Sequence, residues 1–407
     1  MSQLAILTRL HRHGGPARLT TALALLGGLC AGWTATATAQ DAEPPPTPPL
    51  PAGATAASAP EMVVEGELFG GLDAVFTDAE DFNAFEVQRA ELGGLMLWDA
   101  RHVGGEVRLE AVRSAGSGSL LGIDGDSLVM RLKRAWGYAS VPLAPVRIDL
   151  RLGLVPDVWI EAVQSSFELR GLGPTLSESG GFFDTSDLGG SVRVDVLDGL
   201  ATAQVAVTNG EGRNLREQNA GKNTTVTVTL RPWRLTLGGE EAGLWLHGVY
   251  RDGSTSVASV IDNRIGGAVA WTSAWVDAGV ELVRANGYAG REVDATGLGA
   301  WANGYLVRPW LGAVVRYDHL NPDTKLADAD RQTLTAGLYT DLVLPALPPD
   351  PRQFRLYLVV QDESAGAGAG PIPGRPEVAD LTRLMLTLAV GGRWRSAPDD
   401  APEHRRD

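Results

Sequence analysis

From Glu61 to Trp394 the chain alternates apolar residues with polar or small ones in segment after segment. Thr225-Val226-Thr227-Val228-Thr229-Leu230-Arg231 does so strictly, as do Arg147 to Leu152 and Arg355 to Gln361. Successive side chains of a strand point to opposite faces, so each segment has one apolar face and one polar or small face. Outside the N-terminus no apolar run reaches the roughly eighteen residues a membrane helix needs. If such a chain enters a membrane, it does so as a closed barrel, the one sheet that leaves no backbone group unpaired in lipid. A soluble sandwich shows the same alternation with its apolar face turned inward.

Three features favour the membrane barrel. The segments run to about ten residues, the length of a tilted strand crossing the hydrocarbon layer. Sixteen of them are predicted, centred near residues 69, 91, 107, 133, 149, 192, 204, 227, 247, 267, 280, 300, 313, 336, 358 and 388, and single-chain bacterial barrels have even strand numbers. The connections alternate: Asp99–Arg101, Pro142–Pro145, Leu197–Gly199, Thr272–Ser273 and Arg308–Pro309 are short. Ser114–Gly125, Pro156–Ser186, Asn209–Gly221, Arg251–Asp262, His319–Ala327 and Asp362–Glu377 are long. Two connections on the short side, Pro232–Glu241 and Val343–Arg352, read as longer turns. Trp98, Trp233, Trp271, Trp275, Trp310 and Trp394 fall near segment ends, where an interfacial girdle places them. Trp136 and Trp245 lie further inside, facing either lumen or lipid.

Residues 1–39 read as an export signal. Arg9, Arg12 and Arg18 precede an apolar stretch from Leu19 to Trp33, and Ala37 and Ala39 suit a peptidase site before Gln40. Cys30, the sole cysteine, lies within it, so the exported chain has no disulfide to staple it. Removing three arginines and no acid makes a chain of net charge −14 more acidic still, which argues against a nucleic-acid partner. Residues 40–60 are rich in Pro and Ala and read as an extended linker. Residues 61–394 form the barrel, and 395–407 a charged tail.

The run Val146-Arg147-Ile148-Asp149-Leu150-Arg151-Leu152-Gly153-Leu154-Val155-Pro156 resembles the strand leading into the long loop of the phosphate-selective porin family (porins O and P). Asp187 to Val192, Val205 to Gly212, Val315 to Asp318 with Asn321-Pro322-Asp323, and Thr333 to Leu338 are similar to further stretches of that family. The resemblance implies a sixteen-stranded barrel in outer-membrane lipid, usually a homotrimer, passing small hydrophilic solutes or ions. Its third outer loop folds into the pore; by the strand count Pro156–Ser186, the longest connection, is that loop. The family's lumen is rich in lysine and arginine, whereas this chain is acidic with three lysines, so phosphate selectivity does not carry over. Family chains usually end on an aromatic residue that the barrel assembly machinery reads; here Trp394 precedes a charged tail.

A diffusion pore needs no cofactor and no catalytic group; it needs a constriction whose charges select what passes. Strand parity turns Glu106, Arg108, Glu110, Arg131, Lys133, Arg147, Asp149, Arg151, Arg193, Asp195, Arg316, Asp318 and Arg355 into the lumen. The long loop adds Glu161, Glu168, Arg170, Glu178 and Asp184. A basic wall at Arg147, Arg151 and Arg193 is expected to face an acidic loop, setting up a transverse field. The competing expectation is mixed lumenal charge that pairs with its neighbours and holds the barrel together. His102, His247 and His319 lack metal spacing; His247 could still work with a serine, but the sequence has no nucleophile-elbow pattern. The alternative to a porin is a barrel with a closed lumen serving as adhesin or anchor.

Overall fold

A computed structural model describes residues 60–77, 81–98, 102–113, 128–213, 217–342, 354–369 and 380–395. The export signal, nearly all of the linker, the tail beyond residue 395, the whole of the connections Asp99–Arg101, Ser114–Gly125 and Val343–Arg352, and residues 370–377 of the Asp362–Glu377 loop lie outside the described residues.

Sixteen antiparallel strands close into one barrel. They are β1 (Glu61–Thr77), β2 (Asp81–Trp98), β3 (Val103–Arg113), β4 (Leu128–Leu143), β5 (Val146–Pro156), β6 (Ser186–Val196), β7 (Ala201–Thr208) and β8 (Asn223–Leu237). The second half comprises β9 (Glu240–Asp252), β10 (Asn263–Thr272), β11 (Val276–Tyr288), β12 (Arg291–Val307), β13 (Leu311–Asn321), β14 (Arg331–Asp341), β15 (Phe354–Ala365) and β16 (Leu381–Arg395). Each of the sixteen expected centres falls inside its strand. Closure runs from Val63 opposite Arg395 to Thr77 opposite Leu381. A two-residue ladder, Ser254–Thr255 with Val260–Ile261, stiffens the β9–β10 loop.

Strand lengths differ from the uniform ten expected, ranging from 8 residues in β7 to 18 in β2. The β8–β9 connection is also tighter than its sequence suggests. Residues 232–237 stay in β8, and the turn is Gly238-Gly239 with φ of 62° and 87°. Two successive positive φ values are what a tight hairpin turn requires, and glycine adopts them without strain. At the long-loop end, Ala289-Gly290 joins β11 to β12 directly, so that sector has a low rim.

The barrel turns its apolar face outward. Leu152 is 75% exposed, Leu92 55% and Ile265 59%, while their inward neighbours Arg151, Glu91 and Arg264 are covered. Trp233, Trp275 and Trp310 are exposed at the short-turn end, in the positions of an interfacial girdle. Trp136 and Trp245 face the lumen: Arg151 lies 4.9 Å over the first ring, and Arg231 lies 4.0 Å over the second, which stacks on His247.

Candidate functional site

The connection from Asp157 to Thr185 enters the lumen and carries its own secondary structure. Helix α1 (Val158–Gln164) is followed by a single 3-10 turn, Arg170–Leu172, and by the one-turn α2 (Leu176–Ser179). Asp157 caps α1: its Oδ1 accepts from the Trp159 and Ile160 amides at 2.9 and 3.1 Å, satisfying donors a helix start leaves open. Arg251 of β9 holds the other carboxylate oxygen. Burial raises the Asp157 carboxyl above its ordinary range, outweighing Arg251 and the two amides.

The lumen is divided by what its wall presents. Strands β9 to β16 turn small and apolar groups inward, among them Ala268, Ala285, Ala295, Val314 and Val359. The loop's Trp159, Ile160, Val163, Phe167, Leu169 and Phe182 pack on this half in one buried cluster. Phe167 meets Trp301 edge-on at 5.1 Å, and Phe182 lies 5.3 Å from Tyr288. Polar anchors fix the register: Ser177 donates its amide and hydroxyl to Glu281, Tyr288 donates to Gly180 O, and Arg264 Nε donates to Phe182 O at 3.0 Å.

Strands β2 to β6 turn charge inward instead, and the loop meets that half through ion pairs. Arg151 donates to both oxygens of Glu161, Arg89 reaches Glu178 at 3.0 Å, and Arg170 forks onto Glu67 of β1 at 3.0 and 2.9 Å. Burial pushes the Glu161 carboxyl up, but Arg151, with Arg193 and Arg134 nearby, holds it below its ordinary range. Arg108 contacts Glu65, Glu106 and Glu91; Lys133 contacts Glu91 and Glu110; Arg131 contacts Glu110 at 2.6 Å. Asp184 lies 3.4 Å from Arg213, which reaches in from the β7–β8 loop and also binds Glu110 at 2.6 Å. Arg147 and Arg193 do not reach the loop: both bind Asp195 at 2.9 Å. Glu168 lines a cavity of about 250 Å³ with Arg170, Arg355 and Tyr357.

The expected basic wall therefore divides. Arg151 touches the acidic loop directly, whereas Arg147 and Arg193 sit toward the short-turn end, beside a second cavity of about 400 Å³ that Arg147 lines. Sequence reasoning missed four contributors: Arg89, Glu91, Arg213 and Asp157. Strand parity could have found the first two, and a capping aspartate after Pro156 could have found the last; Arg213 carries no local signal.

His247 has a partner that spacing did not show. Its Nε2 lies 3.2 Å from Ser166 Oγ of the loop, and its Nδ1 lies 2.9 Å from Thr229 Oγ1. Ser166 is 1% exposed and His247 6%, so the pair lies buried between loop and wall.

No protein-family profile and no curated protein sequence matches the chain. Solved structures do. An anion-selective porin from Comamonas acidovorans superposes with a TM-score of 0.52 at 11% identity, over 82% of this chain and 100% of its own. The outer membrane channel DcaP of Acinetobacter baumannii gives 0.51 at 10%, over 82% and 98%. OmpT of Vibrio cholerae, in its trimer form, gives 0.50 at 12%, over 82% and 100%. Likeness at such identities speaks for the fold.

Proposed function

We propose that this chain is an outer-membrane porin: a water-filled channel through which small hydrophilic or charged solutes diffuse passively. The observation that carries the reading is the inversion of a soluble protein's pattern. Charge lines the inside of a closed barrel and hydrocarbon clothes the outside, around cavities that flank a folded-in loop. Solved channels of the same architecture support it, and the OmpT trimer form supports a homotrimer. Kinship with the phosphate-selective porins rests on the short motifs of the sequence. The constriction would be the space the loop leaves beside β2 to β6, set by Arg108, Arg131, Lys133 and Arg151 against Glu161, Glu178 and Asp184, with Arg147 and Arg193 below it toward the short turns and Glu168 and Arg170 on the side of the β15 wall.

One observation favours the closed-lumen alternative: the loop is bonded to both halves of the wall and buries an apolar cluster of its own. Single-channel recording of the detergent-purified protein in a planar bilayer separates the two. Stepwise current establishes the pore, and triplet steps the trimer. A folded, inserted barrel that passes no current makes it an anchor or adhesin.

A further inference from the structure

At the short-turn end of the lumen, below the loop, a cavity of about 400 Å³ lies between β2, β4 and β5. That volume is at the small end of pockets that hold organic ligands. Its composition is unusual for a wetted wall. Leu95 and Leu97 turn inward from β2, and Trp136 and Tyr138 follow on β4 with ring centroids 5.7 Å apart, tilted by 50°. The Trp136 Nε1–H is buried and has no hydrogen-bond partner among the described residues.

The polar side belongs to β5. Arg151 is committed: it binds Glu161 and covers the Trp136 ring. Arg147, which also binds Asp195 at 2.9 Å, keeps 56% of its side chain exposed, and Asp149, 14% exposed, lies two residues along the same face, with Nε and Oδ2 3.4 Å apart. One wall therefore offers a cation and an anion side by side, and the facing walls offer aliphatic and aromatic surface. A purely anionic solute gains Arg147 but meets Asp149, and a purely cationic one meets the reverse. A solute carrying both charges on one carbon, with a flat apolar group beyond it, satisfies both and covers the apolar surface.

We propose that this cavity is a solute subsite for zwitterionic amino acids with an aromatic side chain. The solute's carboxylate lies on Arg147, its ammonium on Asp149, and its ring beside Trp136 and Tyr138. The proposal rests on the porin reading only in supposing that solutes reach the lumen.

The test is isothermal titration calorimetry on the full exported chain in detergent, with three probes: L-phenylalanine, 3-phenylpropionate and 2-phenylethylamine. Phenylalanine is expected to bind about tenfold more tightly than either single-charge analogue, the scale of one hydrogen bond to a charged group. Arg147→Gln removes its advantage over phenylethylamine, Asp149→Asn its advantage over phenylpropionate, and Trp136→Leu weakens all three probes. Lys222→Gln, on an exposed loop, changes none of them. Equal affinities for the three probes, or no response to Arg147→Gln and Trp136→Leu in protein that keeps its heat-modifiable barrel, overturns the proposal. Binding is read without current, so a non-conducting protein that still discriminates the probes sinks the porin reading alone. A conducting protein that does not discriminate sinks the subsite alone.

Discussion

Arg151 shares a single guanidinium nitrogen between both carboxylate oxygens of Glu161, at 3.0 and 2.7 Å, and so ties the fifth strand to the helix of the lumenal loop. The same guanidinium covers Trp136. Arg151→Gln strands a largely covered carboxylate and is expected to cost about 1–3 kcal/mol, read as a shift in urea unfolding. Glu161→Gln strands the Arg151 guanidinium in turn, 11% exposed over the Trp136 ring, and is expected to cost a similar amount. Equal stability of Arg151→Gln and the parent contradicts the link.

Acid should release the start of the loop in a defined direction. The Glu161 carboxyl is held below its ordinary value of 4.5, so the folded state binds fewer protons there than the unfolded chain. Its stabilisation is complete above that value and is lost as pH falls through the depressed one. Asp157, raised by burial above 3.8, acts in the opposite sense, since its protonation relieves a buried charge. Amide exchange across 158–164, corrected for intrinsic rate, is expected to accelerate below pH 4.5 in the parent. In Arg151→Gln it should be fast already at neutral pH. A flat profile in the parent contradicts the assignment.

Phe167 wedges the loop between the Trp301 ring at 5.1 Å and the Arg316 guanidinium at 5.4 Å. Phe167→Ala empties a buried site and is expected to cost about 3–5 kcal/mol. In a bilayer the loosened loop should raise single-channel conductance. Unchanged conductance in a destabilised Phe167→Ala protein would place the loop away from the conducting path.

Selectivity offers an independent check on the wall. Replacing Arg147 and Arg151 together by Gln should move the reversal potential in a salt gradient toward cation preference, because Asp149, Asp195 and Glu161 then lose two of their counter-charges. No movement removes both arginines from the filter.

At Gly171 an added Cβ would sit 2.7 Å from Tyr357 Cε2 and 3.0 Å from Ala389 Cβ. Gly171→Val forces the 3-10 turn off the wall and is expected to cost about 1–3 kcal/mol. Gly248→Ala, with nothing within 4 Å of its new methyl group, should be neutral in the same unfolding assay.

The fold was legible because a lipid-facing strand must repeat every two residues, and Leu150-Arg151-Leu152 or Leu384 to Leu388 state that repeat openly. Where the repeat slips, the sequence hides the reason. Val226, Val228 and Leu230 face out, then Trp233, Leu235 and Leu237, an odd step absorbed by a bulge at Arg231-Pro232. Parity placed Arg131 and Lys133 in the lumen, but not that Lys133 is the extra residue of a bulge opposite Arg108 and Leu109. The site was half legible. Residues on one strand announce themselves by spacing, as Arg147, Asp149 and Arg151 do. Contacts such as Arg89 with Glu178, or Arg213 with Glu110, join elements whose separation in sequence says nothing of their meeting in the lumen.

The greasy underside of the lumenal loop also sets a schedule. Residues 158–183 are made before β9 to β16, the wall that shelters them, since a chain is built from its N-terminus. Until Ala268, Val314 and Ala389 arrive, Trp159, Phe167 and Phe182 have no dry place to rest. The last strands thus complete two tasks at once, sealing the cylinder and housing an apolar segment from the first half of the chain.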